Sequence, residues 1–427
     1  MKKARILSAL LLFTMILTAC GGESLPKTTA QTGETETLSE TGATTLHPIE
    51  GAFPDFPDYR LPAGATPDQM RQMAVKAMRD ELTVRWTPAE KFHYDRTSDN
   101  APRSFDFYPG KAVTGLPYTD AHSGLIQFLQ YYDFETGIFT TPNKNLDGVV
   151  GNVCRGSVQW GIMAVCAGYN ACDTAGKMAP GYGFYPVGEY KIPEGLDGVH
   201  SYGTLQITRD NGEQVMFRSY AAVLPADTLL GVGTDSPARH VNMAAEAAHV
   251  EKDAAGNIDP DKSYLVIQEQ MGGEYSHTDY GAVTLYQSRL DQHYSFRKLY
   301  EQGYIPVTTG EFLGLVPYTV CEASFTPGEG EGLEAVFGGS VSSNYVLATI
   351  RMNVVDQNGK TVASRFRNFS LGSAPAAREA TLEDFSKRRA GKELWETVPA
   401  GDYTLQVQVF PACGGIFTVN ETAFTVK

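Results

Sequence analysis

The order in which two periodicities appear along the chain limits its fold more than any other feature. Apolar residues at helical spacing come first, and strand-like alternation comes later. Thr66-Pro67-Asp68 supplies a capping hydroxyl, a proline for a first turn and an early acid. Met70, Met73, Ala74, Ala77, Met78 and Leu82 then recur at helical spacing. The same reasoning predicts helices from about Ser123 to Tyr132 and from Val153 to about Ala167. Residues 175–200 are rich in Gly, Pro and Tyr and read as a long surface loop. From about Gly203 the pattern reads as strands. Thr204–Thr208 and Gln214–Phe217 suggest a hairpin around Asn211-Gly212, followed by strands at Thr228–Val232, His240–Ala245 and Tyr264–Gln268. Helices followed by strands predict an α+β domain with an antiparallel sheet.

The character shifts again after Pro317. Val346–Val355 is strand-like and runs into Asp356-Gln-Asn-Gly359, a hairpin signal. Tyr403, Leu405, Val407 and Val409 alternate with Thr404, Gln406 and Gln408, as in a strand with one buried face. Residues 318–427 are therefore expected to form an all-β immunoglobulin-like sandwich. Residues 51–317 form the preceding α+β domain.

The first residues read as an address. Lys2, Lys3 and Arg5 precede a short apolar run from Ile6 to Leu17, which has the length and flanks of a signal peptide. The run ends in Leu17-Thr18-Ala19-Cys20, which resembles the bacterial lipobox. That resemblance implies a signal peptide over residues 1–19, lipidation of Cys20, and a protein anchored on the extracytoplasmic face of the cell membrane. Residues 20–50, rich in Thr, Gly, Glu and Ser, read as a flexible tether that cannot bury enough apolar surface to order itself. A net charge of −14 with no basic block argues against a nucleic-acid partner.

Five cysteines remain after Cys20, an odd number for an exported chain. Cys321 with Cys413 and Cys166 with Cys172 are candidate disulfides, which leaves Cys154 over; other pairings stay open. Cys154 lies in Gly151-Asn-Val-Cys-Arg-Gly-Ser-Val-Gln-Trp160, just after a glycine turn and at the start of a helix. Free N–H groups and the helix dipole favour an anion there, and the thiolate is the nucleophilic form of cysteine. Gly156 is costly inside a helix unless another group must approach closely. A thiol nucleophile needs a base, and His240 begins a strand after the turn Leu224-Pro-Ala-Asp227 and the loop that follows it. The next strand ends in Gln268-Glu269-Gln270, any of which can orient an imidazole.

These pieces resemble the NlpC-type cell-wall peptidases, a papain-like family. The resemblance spans about residues 105–300 and rests on Gly115-Leu-Pro-Tyr118, Cys154-Arg-Gly156, the Leu224–Asp227 turn and His240, in that order. Arg155 stands where the family carries Ser, and the Leu-Pro turn lacks its Gly. The resemblance implies a thiol hydrolase cutting amide bonds of peptidoglycan stem peptides without cofactor or metal. Cys154 would be the nucleophile, His240 the base and Glu269 the orienting group, with Gln268 or Gln270 as its rivals. Tyr118 and Arg155 would meet the substrate. The alternative expectation is an inactive surface protein that binds a wall peptide, or a protein partner through the C-terminal domain.

Overall fold

The computed structural model describes residues 51–96, 103–140, 150–193, 203–233, 237–271, 288–372, 376–383 and 391–427. The leader, Cys20 and the tether lie outside them. Among the described residues, no helix is long and apolar enough to cross a membrane.

The first helix, Pro67–Thr83, starts as its sequence demands. Thr66 accepts from the Gln69 N–H at 3.3 Å, and Gln69 Oε1 accepts from the Thr66 N–H at 2.9 Å, so two otherwise unpaired donors are satisfied. Its face of Met70, Ala74, Ala77, Met78 and Leu82 is buried. A second helix, Cys154–Met163, packs against it, and Trp160 Nε1 donates to the Ala77 carbonyl at 3.1 Å. We refer to Cys154–Met163, on which the sequence reading places its expected nucleophile, as the nucleophile helix.

Both helices lie against a six-stranded sheet. Its strand order is Ser288–Ser295, Tyr264–Gln270, His240–Ala244, Thr228–Gly231, Ile305–Thr309 and Phe184–Pro186, and every pairing is antiparallel. The turn ahead of the His240 strand is pinned from inside. Asp227 Oδ2 accepts from the Leu224 N–H at 2.8 Å, and Asp227 Oδ1 pairs with Arg71 of the first helix at 2.7 Å. Ala226 takes φ 67° in this turn, a left-handed conformation that costs a non-glycine residue about 1–2 kcal/mol.

One segment departs from the sequence expectation. Residues 204–217 are not a hairpin but parts of two helices, Thr204–Asn211 and Glu213–Ala221, with Gly212 at φ 74° between them. Leu205 and Thr208, then Met216, Phe217 and Tyr220, are buried at helical spacing. The Asn-Gly pair does mark a turn, but it joins two helices, with glycine in the left-handed cap position. The helix expected over Ser123–Tyr132 is shorter, Leu125–Leu129, and all five residues are buried.

The C-terminal region is β-rich. Strands Ala323–Pro327, Gly339–Ser343 and Glu379–Thr381 form one antiparallel sheet. Thr361–Asn368, Leu347–Val355, Gly401–Pro411 and Phe417–Val426 form another, in that order. Val341, Leu382, Ile350, Met352, Val354, Leu405, Val407 and Phe424 bring both sheets into one core. This region is not separate from the rest. Val346, Ala348, Leu371, Ala376, Phe410 and Ala412 join the hydrophobic core of the α+β part.

The five described cysteines are free thiols. Cys166 and Cys172 are not a pair: Cys166 lies against Thr309 Oγ1, while Cys172 faces Tyr169 and the Lys177 carbonyl. Cys321 and Cys413, both buried, touch each other and share a small cluster with Tyr345.

Candidate active site

The glycine turn and the start of the nucleophile helix are held by a buried polar cluster. Asn152 accepts from the Val153 N–H through Oδ1 at 3.1 Å and donates through Nδ2 to Glu81 Oε1 at 3.3 Å. Ser157 Oγ also donates to Glu81 Oε1. Gly156 is required by this arrangement, since a Cβ there would fall 1.6 Å from Asn152 Oδ1. Glu81 is fully buried, and that burial pushes its carboxyl up to about 8 against the two hydrogen bonds that favour its charge. Sequence reasoning missed Glu81, although an acid four residues after Ala77 on an otherwise apolar stripe was a readable signal.

Cys154 is the first residue of the helix, partly exposed, and no side chain caps the helix start. His240 opens the neighbouring strand, close enough to Cys154 for its charge and polarity to act on the thiol. Burial pushes the Cys154 thiol up. The His240 charge, its hydrogen bond and the N–H groups of Val241 and Arg155 outweigh that and bring the thiol down to about 7. Burial opposes the imidazolium, but Cys154 and Glu269 hold it up to about 10. Each group favours the charged form of the other, and the thiolate–imidazolium pair forms as pH rises through about 7.

Glu269 lies behind His240. Its Oε2 stands 3.1 Å from His240 Nε2, which leaves Nδ1 for the thiol. The ring is not aligned along that oxygen, so the contact is electrostatic more than a well-directed hydrogen bond. Tyr294 OH donates to Glu269 Oε1 at 3.1 Å, and Asn242 Nδ2 lies 3.4 Å from Oε2. Burial works against the Glu269 charge, but His240, the charge of Arg289 and the Tyr294 hydrogen bond hold its carboxyl below the usual range. Gln268 and Gln270 point the other way: their Nε2 atoms donate to the Val75 and Leu116 carbonyls at 3.0 and 2.9 Å.

The Gly115–Tyr118 segment lies beside the nucleophile. Tyr118 bridges Asn152 through its backbone, and Asn152 N–H donates to the Pro117 carbonyl at 3.0 Å. The Tyr118 side chain is partly buried. Arg155, expected to meet substrate directly, is only 7% exposed. Its guanidinium bonds the Cys172 carbonyl and lies 3.3 Å from His122 Nε2. The structure therefore engages this donor fork within the protein, and leaves little of it facing solvent. Among the described residues, no group of three His, Cys, Asp or Glu is placed to hold a metal ion.

The structure thus brings Cys154, His240 and Glu269 into one line and excludes Gln268 and Gln270 from it. Comparison of the chain with protein-family models, with curated proteins and with solved structures gives no match.

Proposed function

We propose that the chain is an exported cysteine hydrolase. Its α+β part is a papain-like, NlpC-type domain, and the C-terminal part is an immunoglobulin-like sandwich. The observation that carries this reading is the Cys154–His240–Glu269 line at an uncapped helix start. The thiolate of Cys154 attacks an amide carbonyl and forms a C–S bond. The resulting oxyanion lies toward the N–H groups of the helix start. His240 gives its proton to the leaving amine as the C–N bond breaks, and a thioester remains. His240 then takes a proton from water, which attacks the thioester, releases the acid and restores the thiolate. Glu269 keeps the ring oriented and stabilises its charge.

The substrate class, peptidoglycan stem peptides, rests on the resemblance carried by Gly115–Tyr118, Cys154–Gly156, Leu224–Asp227 and His240. Incubating purified protein with muropeptides and following the fragments by mass spectrometry tests it. Cleavage is expected with wild type, a partial loss with Glu269→Ala and none with Cys154→Ala. Intact muropeptides after incubation with wild type would favour a protein that binds wall peptides without cutting them.

The membrane partner is a separate proposal. Cys20 in its lipobox-like setting would carry acyl chains, each buried methylene contributing about 0.8 kcal/mol to anchoring. Cys20→Ser is expected to move the protein from the membrane fraction to the soluble fraction; unchanged membrane association would remove the anchor from the account.

A further inference from the structure

The C-terminal region meets the His122-Ser123 segment, which pairs with the glycine turn ahead of Cys154, and it does so through backbone. The Leu371 N–H donates to the His122 carbonyl at 2.9 Å. Gly372 lies flat against the same residue, so that a Cβ on it would stand 2.4 Å from His122 Cγ. His122 itself takes φ 49°, a left-handed conformation that costs about 1–2 kcal/mol and persists only where its surroundings impose it. Those surroundings are the Leu371 contact on one side and, on the other, the Ser123 N–H donating to the Gly151 carbonyl at 2.8 Å, three residues ahead of Cys154.

The ring of His122 reaches the side chain of Arg155, the residue after Cys154. Arg155 Nη2 is 3.3 Å from His122 Nε2; a guanidinium only donates, so Nε2 is the acceptor. Arg155 follows Cys154 directly in the chain, and its backbone N–H helps to hold the thiol down. A continuous set of contacts therefore links Gly372, His122, Arg155 and Cys154. The same region also holds the segment that follows the nucleophile helix. Tyr345 OH donates to the Val165 carbonyl at 3.2 Å, and Arg378 Nη2 to the Tyr169 carbonyl at 3.0 Å. A domain serving only as a spacer needs no grip on the segments that flank the Cys154 helix on both sides.

We propose that the C-terminal domain is a working part of the thiol site: by seating His122 against Arg155, the Leu371-Gly372 segment sets the rim across which a peptide substrate reaches Cys154. This rests on the hydrolase reading above. His122 is a positioning residue in this scheme and touches no reacting atom. The discriminating property is a selective effect on peptide-sized reagents, because the thiolate itself is made by His240 and not by His122.

The test uses the full chain and two thiol reagents. Iodoacetamide needs only the Cys154 thiolate, whereas a dipeptidyl vinyl sulfone must also lie across the rim. Gly372→Ala drives a methyl group into the His122 ring. It is expected to leave the iodoacetamide rate within about twofold while lowering the vinyl sulfone rate about tenfold or more. His122→Gly relieves the left-handed strain, so its melting temperature is expected to hold or rise, and it should show the same selective loss. This variant stands alone if Gly372→Ala does not fold. Equal losses with both reagents, unchanged rates with both, or a wild type indifferent to the peptide reagent overturns the proposal. Neither reagent requires turnover. A selective loss in a protein that leaves muropeptides intact would therefore sink the substrate assignment and keep this one.

Discussion

Replacement of His240 by Ala is expected to lower turnover by about 10²–10⁴-fold and to move the alkylation profile of Cys154 to higher pH. The two effects have one cause. In the intact site the thiol is partly removed from water, and that desolvation alone would push it above its ordinary value of 9.0. The His240 charge and hydrogen bond reverse that and bring it to about 7. At pH 7 about half of Cys154 is then thiolate, and a thiol returned to 9.0 would be about 1% ionised, so alkylation at pH 7 should slow roughly fiftyfold. The upper limit is set by the partner. His240 is held to about 10, so the ion pair spans the interval between about 7 and about 10, and turnover should be bell-shaped across it. Following iodoacetamide incorporation from pH 5 to 10 in both proteins measures this. An inflection near 9 in wild type, or the same inflection in His240→Ala, would show that His240 does not set the state of the thiol.

How much of this was legible in the sequence depended on whether the signal was local. The first helix announced itself because Thr66, Pro67 and Gln69 satisfy the helix start among themselves. The strands of His240 and Glu269 were legible from alternation, as was the Leu347–Val355 strand with its turn at Asp356–Gly359. The 204–217 stretch was misread because Leu205 and Ile207, two residues apart, fit a strand as well as a short helix; only burial of Thr208, Met216 and Tyr220 separates them. The choice among Gln268, Glu269 and Gln270 had the same character. Alternation puts Glu269 on one face and the two glutamines on the other, but it cannot say which face meets His240. The packing decides, because the first helix lies under Gln268 and supplies the carbonyl that its amide uses. Tyr294, Asn242 and His122 were out of reach for a different reason. Each acts on a residue far away in the chain or through a backbone conformation, and none stands in a local pattern.

Glu81→Gln is expected to remove a pH dependence from the stability of the folded chain. Glu81 is buried beneath the nucleophile helix, and its carboxyl is pushed up to about 8 from an ordinary 4.5. Between these values the folded chain keeps a proton that the unfolded chain has released. The contribution of Glu81 is therefore fully present below about 4.5, falls as pH rises through about 8, and is flat above that. Within the window the slope is at most about 1.4 kcal/mol per pH unit. Glutamine keeps the shape and an acceptor for Asn152 and Ser157, and it does not titrate. Denaturation of wild type and Glu81→Gln by urea at pH 5, 7 and 9 gives the difference directly. The variant should be the less stable protein, or the equal one, at pH 5, and it should gain on wild type by several kcal/mol by pH 9. Since Glu81 acts on the helix start through Asn152 and Ser157, the loss in wild type should appear first as looser packing around Cys154. Parallel curves for the two proteins would mean that Glu81 is ionised in the folded chain, and that Asn152 and Ser157 are held by a charge and not by a neutral acid.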